Sequence, residues 1–433
     1  MSMVALLLGS MCLLLLLGIP IAFGMSMASL LTMLVLDNPV FASPSYIPRL
    51  SFYALDSFAL MAVPFFLLSG ELMMFGLAER LVRWVRSVLG RLRGSLGAIA
   101  VIACLFFGAI SGVFMATIAA IGSIMLPEME KEGYDKKRAA ALITASGFLG
   151  ILIPPSVPSL IFATTAGLSV AELFTATIVP GLILSAGYLV LNYFLLGRSL
   201  PKNDSPKLFS PEGFQEFRSA SKTAIPVLLM PVIVMGGVYS GVFTPTEAGC
   251  VAVIYGLVLG FLLKMWKGST LAKTFLQAGR TAATVMILIA FSAPLGRIFS
   301  VLKVPEVIAS VIMSITTDQN GVILIISLVI FVMGMFLDTN AIIFITVPAF
   351  MPLVLAVGFD PLQYAALTVV NLGIGCITPP FGYGLFMGAR IANISVHEIV
   401  PPMLPYIIWC VVVLLLVLYV PEISTFLPRL LAQ

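Results

Sequence analysis

Two proline pairs, Pro154-Pro155 and Pro379-Pro380, each interrupt an apolar segment long enough to span a membrane. A Pro-Pro pair removes two backbone donors and leaves carbonyls of the preceding turn unpaired. In hydrocarbon such groups are costly unless something else satisfies them. Freed carbonyls are hard oxygen ligands, and Na+ is a cation that suits them. Glycines stand just ahead of each pair (Gly147, Gly150, Gly373, Gly375), where they let the chain unwind and pack closely. The plainer reading of each pair is a proline kink whose free carbonyls are taken by a neighbouring Ser or Thr.

Ionisable residues inside apolar runs come next, because each needs a partner or a wet cavity. Arg297 lies in the run Val285 to Leu302, and Asp338 lies in a short polar break near Gly334. An arginine at membrane depth can fork onto a carboxylate. The competing reading pairs Arg297 with Asp338 or sets it at an interface beside Lys303. Asp338 can assist a cation site without being a direct ligand. Glu71 and Glu247 also interrupt apolar stretches and read as caps or braces of helices.

The elements that must position these groups are membrane helices. Of 433 residues, 60% are hydrophobic and 10% charged, and the mean hydropathy is +1.14. A soluble domain carries about a quarter charged residues, so the composition excludes one. The single histidine, His397, excludes multi-histidine metal sites. The five cysteines are dispersed through apolar runs and form no CxxC pattern. Neither a Walker A pattern nor a GxSxG elbow occurs, so an enzyme is not expected, nor a nucleotide or transition-metal cofactor, nor a nucleic-acid partner. Met1 to Leu36 reads as membrane segment, as one broken span or two shorter pieces, rather than as a cleaved leader.

Positive residues fall mainly into four clusters: Arg80–Arg93, Lys131–Arg138, Arg198–Lys222 and Lys264–Arg280. All four read as cytoplasmic. Between the first two, Gly94 to Pro127 carries no charge. As one helix this stretch would run about 50 Å against a hydrocarbon core of about 30 Å, and it would put the second cluster outside. A re-entrant hairpin of two half-helices over about 94–127 removes both conflicts, with Ser111 to Thr117 at its tip. The alternative is two ordinary, tightly turned spans.

The chain also matches itself at an offset of 225. Gly133-Tyr134-Asp135 falls on Gly358-Phe359-Asp360, Gly150 on Gly375, and Pro154-Pro155 on Pro379-Pro380. With one residue of slip, Ser169 and Glu172 fall on Ser395 and Glu398. The second copy has no Lys or Arg from Val304 to Ala389, so its hairpin, about 321–352, is expected to open to the opposite side. Oppositely oriented halves are the mark of a secondary transporter working by alternating access. The expected fold is an all-α polytopic membrane protein with an inverted structural repeat, two re-entrant helical hairpins and two proline-broken transmembrane helices, in about eleven or twelve spans besides the hairpins. The expected divisions are membrane segments over 1–55, a first repeat over 56–197, a cytoplasmic connector over 198–222, linking spans over 223–280 and a second repeat over 281–422. Two amphipathic arms, Leu77–Arg93 and Leu302–Asp318, are expected to lie flat in the two interfaces and to frame a mobile part.

Four stretches, Gly112–Thr117, Gly150–Ser156, Phe243–Gly249 and Gly375–Gly382, resemble the large membrane subunit of the TRAP (tripartite ATP-independent periplasmic) transporters of bacteria. The likeness runs over essentially the whole chain. It implies Na+-driven uptake of a carboxylated solute (a sialic acid, a C4-dicarboxylate or a sugar acid) across the bacterial inner membrane by an elevator-type movement. It also implies two partners, a periplasmic binding protein and a separate small four-helix membrane subunit. By the same likeness, one sodium site would use oxygens at Ser111, Gly150, Ile153 and Pro155. The other would use Gly334, Gly375, Thr378 and Phe381, and the substrate would lie between the hairpin tips near Ser156, Arg297 and Asp338. A stand-alone Na+-coupled dicarboxylate or anion carrier is the alternative, with a channel or scaffold subunit behind it.

Overall fold

The computed structural model describes residues 2–36, 43, 45–90, 94–197, 210–265 and 268–431, and among them it contains helices and no strand. Arg91, Arg93, Arg198, Lys202, Lys207 and Lys267 of the basic clusters lie outside the described residues, as does most of the expected connector.

The N-terminal stretch is two helices, α1 (Ser2–Leu16) and α2 (Ile21–Val35), packed on one another across Gly18 and Pro20. At about 1.5 Å per residue each is about 22 Å long, short of the hydrocarbon thickness. Then α3 (Tyr46–Leu55) leads into α4 (Ala62–Leu89). The first arm is not a separate helix: it is the C-terminal part of α4. Gly76, the residue before the expected arm, takes a left-handed φ of +68° within that helix. Arg86 of this arm pairs with Glu128 at 3.0 Å, and Trp84 Nε1 donates to Ser221 Oγ at 3.2 Å.

The first hairpin is α5 (Ser95–Ser111) and α6 (Phe114–Lys131), joined by two residues. It extends past the charge-free stretch, because absence of charge marks only the part that avoids the interface. The first broken segment is α7 (Lys136–Gly147), α8 (Leu149–Leu152) and α9 (Val157–Ala166). It is followed by α10 (Val170–Leu195), α11 (Pro211–Tyr239), α12 (Pro245–Leu262) and the long α13 (Gly268–Val301). The second set repeats the first, with a separate arm α14 (Val304–Ile315), a hairpin of α15 (Gln319–Gly334) and α16 (Thr339–Ala356), and a broken segment of α17 (Pro361–Cys376) and α18 (Tyr383–Ala392). The chain then closes with α19 (Val396–Tyr419) and α20 (Glu422–Leu431).

The offset of 225 recurs in the helix boundaries: α6 and α16 begin at Phe114 and Thr339, and α7 and α17 begin at Lys136 and Pro361. Local chemistry sets these boundaries. Gly133 and Gly358 take φ +82° and +75°, ending the hairpins with the backbone only glycine adopts freely. Two residues on, Asp135 accepts from Arg138 N at 2.9 Å and Asp360 from Gln363 N at 3.0 Å, each capping the next helix. Glu247 closes a capping box with Thr244 at the start of α12, as its sequence position suggested.

Among the described residues, by length and composition, six helices can cross a membrane, or up to nine with each bent pair taken as one span. α1, α2 and α5 are apolar too but shorter than a full crossing. α7 is buried from Ala139 onward and α17 from Gln363 onward. Their breaks therefore sit inside protein, where irregular backbone is tolerated at membrane depth.

Candidate functional site

The tip of the first hairpin lies directly on the first break. Gly112 has φ +62°, and a Cβ there would stand 2.4 Å from the Pro155 carbonyl oxygen. Its own carbonyl accepts from Val157 N at 3.3 Å. Beside it, Ser111 Oγ lies 3.2 Å from Thr117 Oγ1, which donates to Val113 O at 3.0 Å. A Cβ on Gly150 would come 2.5 Å from that Thr117 hydroxyl and 3.3 Å from Val113 O. Three of the four residues expected at the first cation site, Ser111, Gly150 and Pro155, thus gather with Thr117 and Val113. The fourth, Ile153, points its side chain at Gly181 of α10, leaving only its backbone for any such role.

The second break repeats the arrangement. Gly334 and Gly375 touch backbone to backbone, so that a Cβ on Gly375 would meet Gly334 Cα at 2.5 Å. Thr378 Oγ1 donates to Ile374 O at 2.6 Å, and Thr378 N donates to Gly375 O at 3.1 Å. Around Gly382 the carbonyl oxygens of Thr378 and Cys376 converge, 2.6 and 2.7 Å from where its Cβ would be. Phe381 is 58% exposed and its ring lies 5.5 Å from Phe336 of the second tip, so its side chain is an apolar contact and only its carbonyl is an oxygen donor. Both breaks are donor sets of hydroxyl and backbone oxygens, which suit a hard monovalent cation. No group of three His, Cys, Asp or Glu residues that could hold a metal occurs among the described residues. Both Pro–Pro bonds are cis.

One cavity of about 360 Å³ joins the two repeats. The first tip (Gly112 to Ala116), the second tip (Asp338 to Asn340), the start of α9 and Tyr383 of α18 form one side, while Glu71 of α4 and Gln277 and Thr281 of α13 form the other. Phe114 stacks edge-on against Tyr383 at 5.6 Å, so a residue of the first hairpin seals against the second broken segment. Asp338 faces this cavity and caps α16, its Oδ2 accepting from Asn340 N at 3.0 Å. Ser156 is buried, with its hydroxyl on Ile151 O and bonded to Ser159, and it does not line the cavity. Arg297 is also outside it: exposed on α13, its Nε donates to Tyr46 Oη at 3.3 Å, and it forms no ion pair with Asp338. Glu71, read from sequence as a brace, is instead a cavity carboxylate. Gln277 and Thr281 also line the cavity; uncharged and outside any motif, they carry no sequence signal that sets them apart from the rest of α13.

Paired hairpins meeting paired broken helices around one cavity define a polytopic membrane protein of ion-transporter architecture. A family model described as "Tripartite ATP-independent periplasmic transporter, DctM component" matches residues 8–423. The chain is 35% identical over 421 residues to the isethionate TRAP transporter permease protein DctMQ of Oleidesulfovibrio alaskensis, covering 96% of this chain and 65% of that protein. It is 34% identical over 377 residues to the C4-dicarboxylate TRAP transporter large permease protein DctM of Pseudomonas aeruginosa, covering 86% and 87%. Among solved structures the Alcanivorax borkumensis YdaH transporter shares the fold, with a TM-score of 0.63 at 14% identity over 92% of this chain and 97% of that one. The chain belongs to the DctM-component family of tripartite ATP-independent periplasmic transporters, a family of transporter permeases.

Proposed function

We propose that this chain is the translocating subunit of a Na+-coupled importer for a small organic anion, resident in the bacterial inner membrane. The observation that carries the reading is the cavity: among the described residues its lining includes two carboxylates, Glu71 and Asp338, and no Lys or Arg. An anionic cargo entering such a space is repelled unless cations enter with it. The two breaks bordering it offer oxygen cradles in which Na+ would supply that compensation. Ser111, Thr117 and the Pro155 carbonyl would hold one ion; the Gly375 and Cys376 carbonyls and the Thr378 hydroxyl would hold the other. The tips of α5–α6 and α15–α16 would then close over a neutralised site, and the arms on α4 and α14 would stay with the frame as the hairpin-bearing part moves. A separate small membrane subunit and a periplasmic binding protein would complete the system, as the family's tripartite description suggests. One relative is named for a sulfonate and another for C4-dicarboxylates, which favours recognition of an acidic head group over any one carbon skeleton.

The test is uptake into proteoliposomes under an inward Na+ gradient, with succinate, isethionate, N-acetylneuraminate and a hexuronate as labelled cargoes. Uptake of at least one acid, dependent on Na+ and on partner plus binding protein, is expected. Uptake by the chain alone would favour an independent carrier, and equal uptake in K+ would end the coupling claim. Thr378→Val is expected to raise the Na+ concentration for half-maximal uptake about tenfold, the effect of about 1.4 kcal/mol of lost coordination. An unchanged Na+ dependence would remove the Thr378 hydroxyl from the site.

A further inference from the structure

The central cavity continues toward the basic end of α13. A second space of about 300 Å³ is lined by Glu71, Lys273, Thr274, Leu276, Gln277 and Arg280, and it shares Glu71 and Gln277 with the central cavity. Lys273, Gln277, Thr281 and Val285 stand four residues apart, so they form one stripe along α13. The stripe is about 18 Å long at about 1.5 Å per residue, leading from the cavity to two cations. Neither Lys273 nor Arg280 forms an ion pair among the described residues, and Glu71 has no hydrogen-bond partner there. A half-buried carboxylate at membrane depth needs a cation within reach, and these two share its space. At the other end of α13, a cavity of about 300 Å³ lined by Ser57, Thr164, Thr165, Ser292, Phe344 and Pro348 has no charged side chain in its wall among the described residues. The two mouths therefore differ in kind.

We propose that Lys273 and Arg280 form an anion-release port at the cytoplasmic mouth, and that Glu71 is the resident carboxylate that competes with the cargo for them. Cargo leaving the acidic cavity is drawn onto the port while it passes Glu71; once it departs, the Glu71 charge again faces the two cations across their shared space and opposes re-entry. With Debye screening of about 8 Å at physiological salt, the port acts at the mouth and not at the hairpin tips. It governs the affinity for internal anion and leaves external loading alone. Lys273, Arg280 and Glu71 are positioning residues in this scheme, and the proposal rests on the import reading above.

The experiment is exchange in proteoliposomes carrying the complete system. Labelled acid is loaded from outside by the binding protein, which selects correctly oriented molecules, against graded unlabelled acid inside. Lys273→Gln with Arg280→Gln is expected to raise the internal concentration for half-maximal exchange about tenfold with the external value unchanged. Raising internal salt to 1 M, where screening reaches about 3 Å, should do the same to the wild type. Glu71→Gln is expected to move the internal value the other way, several-fold lower, and to slow net uptake more than exchange. Lys273→Arg should behave as wild type. Shifts of the same sign in both variants, equal shifts inside and outside, or none would overturn the port while leaving import intact. A wild type silent for every acid of the panel would overturn both.

Discussion

Gly112→Ala is expected to abolish Na+-driven uptake, by about a hundredfold or more, while the protein still reaches the membrane. Two costs combine at this one position. Its φ of +62° is a left-handed value, which charges a residue with a Cβ about 1–2 kcal/mol. The new Cβ would also stand 2.4 Å from the Pro155 carbonyl oxygen. That contact cannot be relieved by a rotamer, because the obstacle is backbone and proline has little freedom in φ. Either the tip withdraws from the break or the Pro155 carbonyl turns away, and both dismantle the oxygen cluster. Gly133→Ala is the control: φ is +82° there but nothing lies within 4 Å of its Cβ. It pays the strain alone, about 1 kcal/mol, and its uptake is expected to stay within about threefold of wild type, since natural proteins keep several kcal/mol in hand. Equal uptake by both variants would mean that the tip does not depend on its approach to Pro155.

The contrast between these two glycines shows what sequence can and cannot deliver. The turns that begin and end helices were legible because their chemistry is local: Gly133-Tyr134-Asp135 and Gly358-Phe359-Asp360 are a helix stop followed by a cap, whatever surrounds them. The Pro-Pro breaks and the hairpin tips were legible for the same reason, and their spacing carried the repeat. Azimuth on a helix was not legible. Hydropathy puts Arg297 at a certain depth in α13, but each residue along a helix turns by about 100°. In a helix apolar on most sides nothing in the pattern says which face meets the cavity, so Arg297 reaches Tyr46 while Gln277 and Thr281 line the site. Pairings across the fold were hidden as well. No spacing rule announces that Phe114 seals against Tyr383, or that Gly108 is the residue that meets Gly150.

What surrounds each glycine separates two substitutions that sequence would treat as equivalent. Gly150 and Gly375 are repeat-related, and each sits where a hairpin crosses a broken helix. A Cβ on Gly375 would meet Gly334 at 2.5 Å from Cα and 2.7 Å from the carbonyl carbon, with only backbone around it. Gly375→Ala must therefore push α15 off α17. Overpacking of this kind costs about 1–3 kcal/mol or more, and since α15 ends at the second tip, uptake is expected to fall to background together with thermal stability in detergent. A Cβ on Gly150 instead meets first the Thr117 hydroxyl, at 2.5 Å, with Thr117 Cβ and Val113 O beyond at 3.2 and 3.3 Å. Removing the hydroxyl leaves contacts that a shift of a few tenths of an ångström absorbs. Gly150→Ala combined with Thr117→Ala should thus recover most of the thermal stability that Gly150→Ala alone loses. Uptake should not recover with it, because Thr117 Oγ1 is one of the oxygens at the first break. No second substitution is expected to rescue Gly375→Ala in either measurement, since its obstacle is the bare backbone of Gly334. Stability unchanged in Gly375→Ala would mean that α15 and α17 do not cross in contact. Uptake restored in the Gly150, Thr117 double variant would strike Thr117 from the cation site and leave Ser111 and the carbonyls of Val113 and Pro155 to hold the ion.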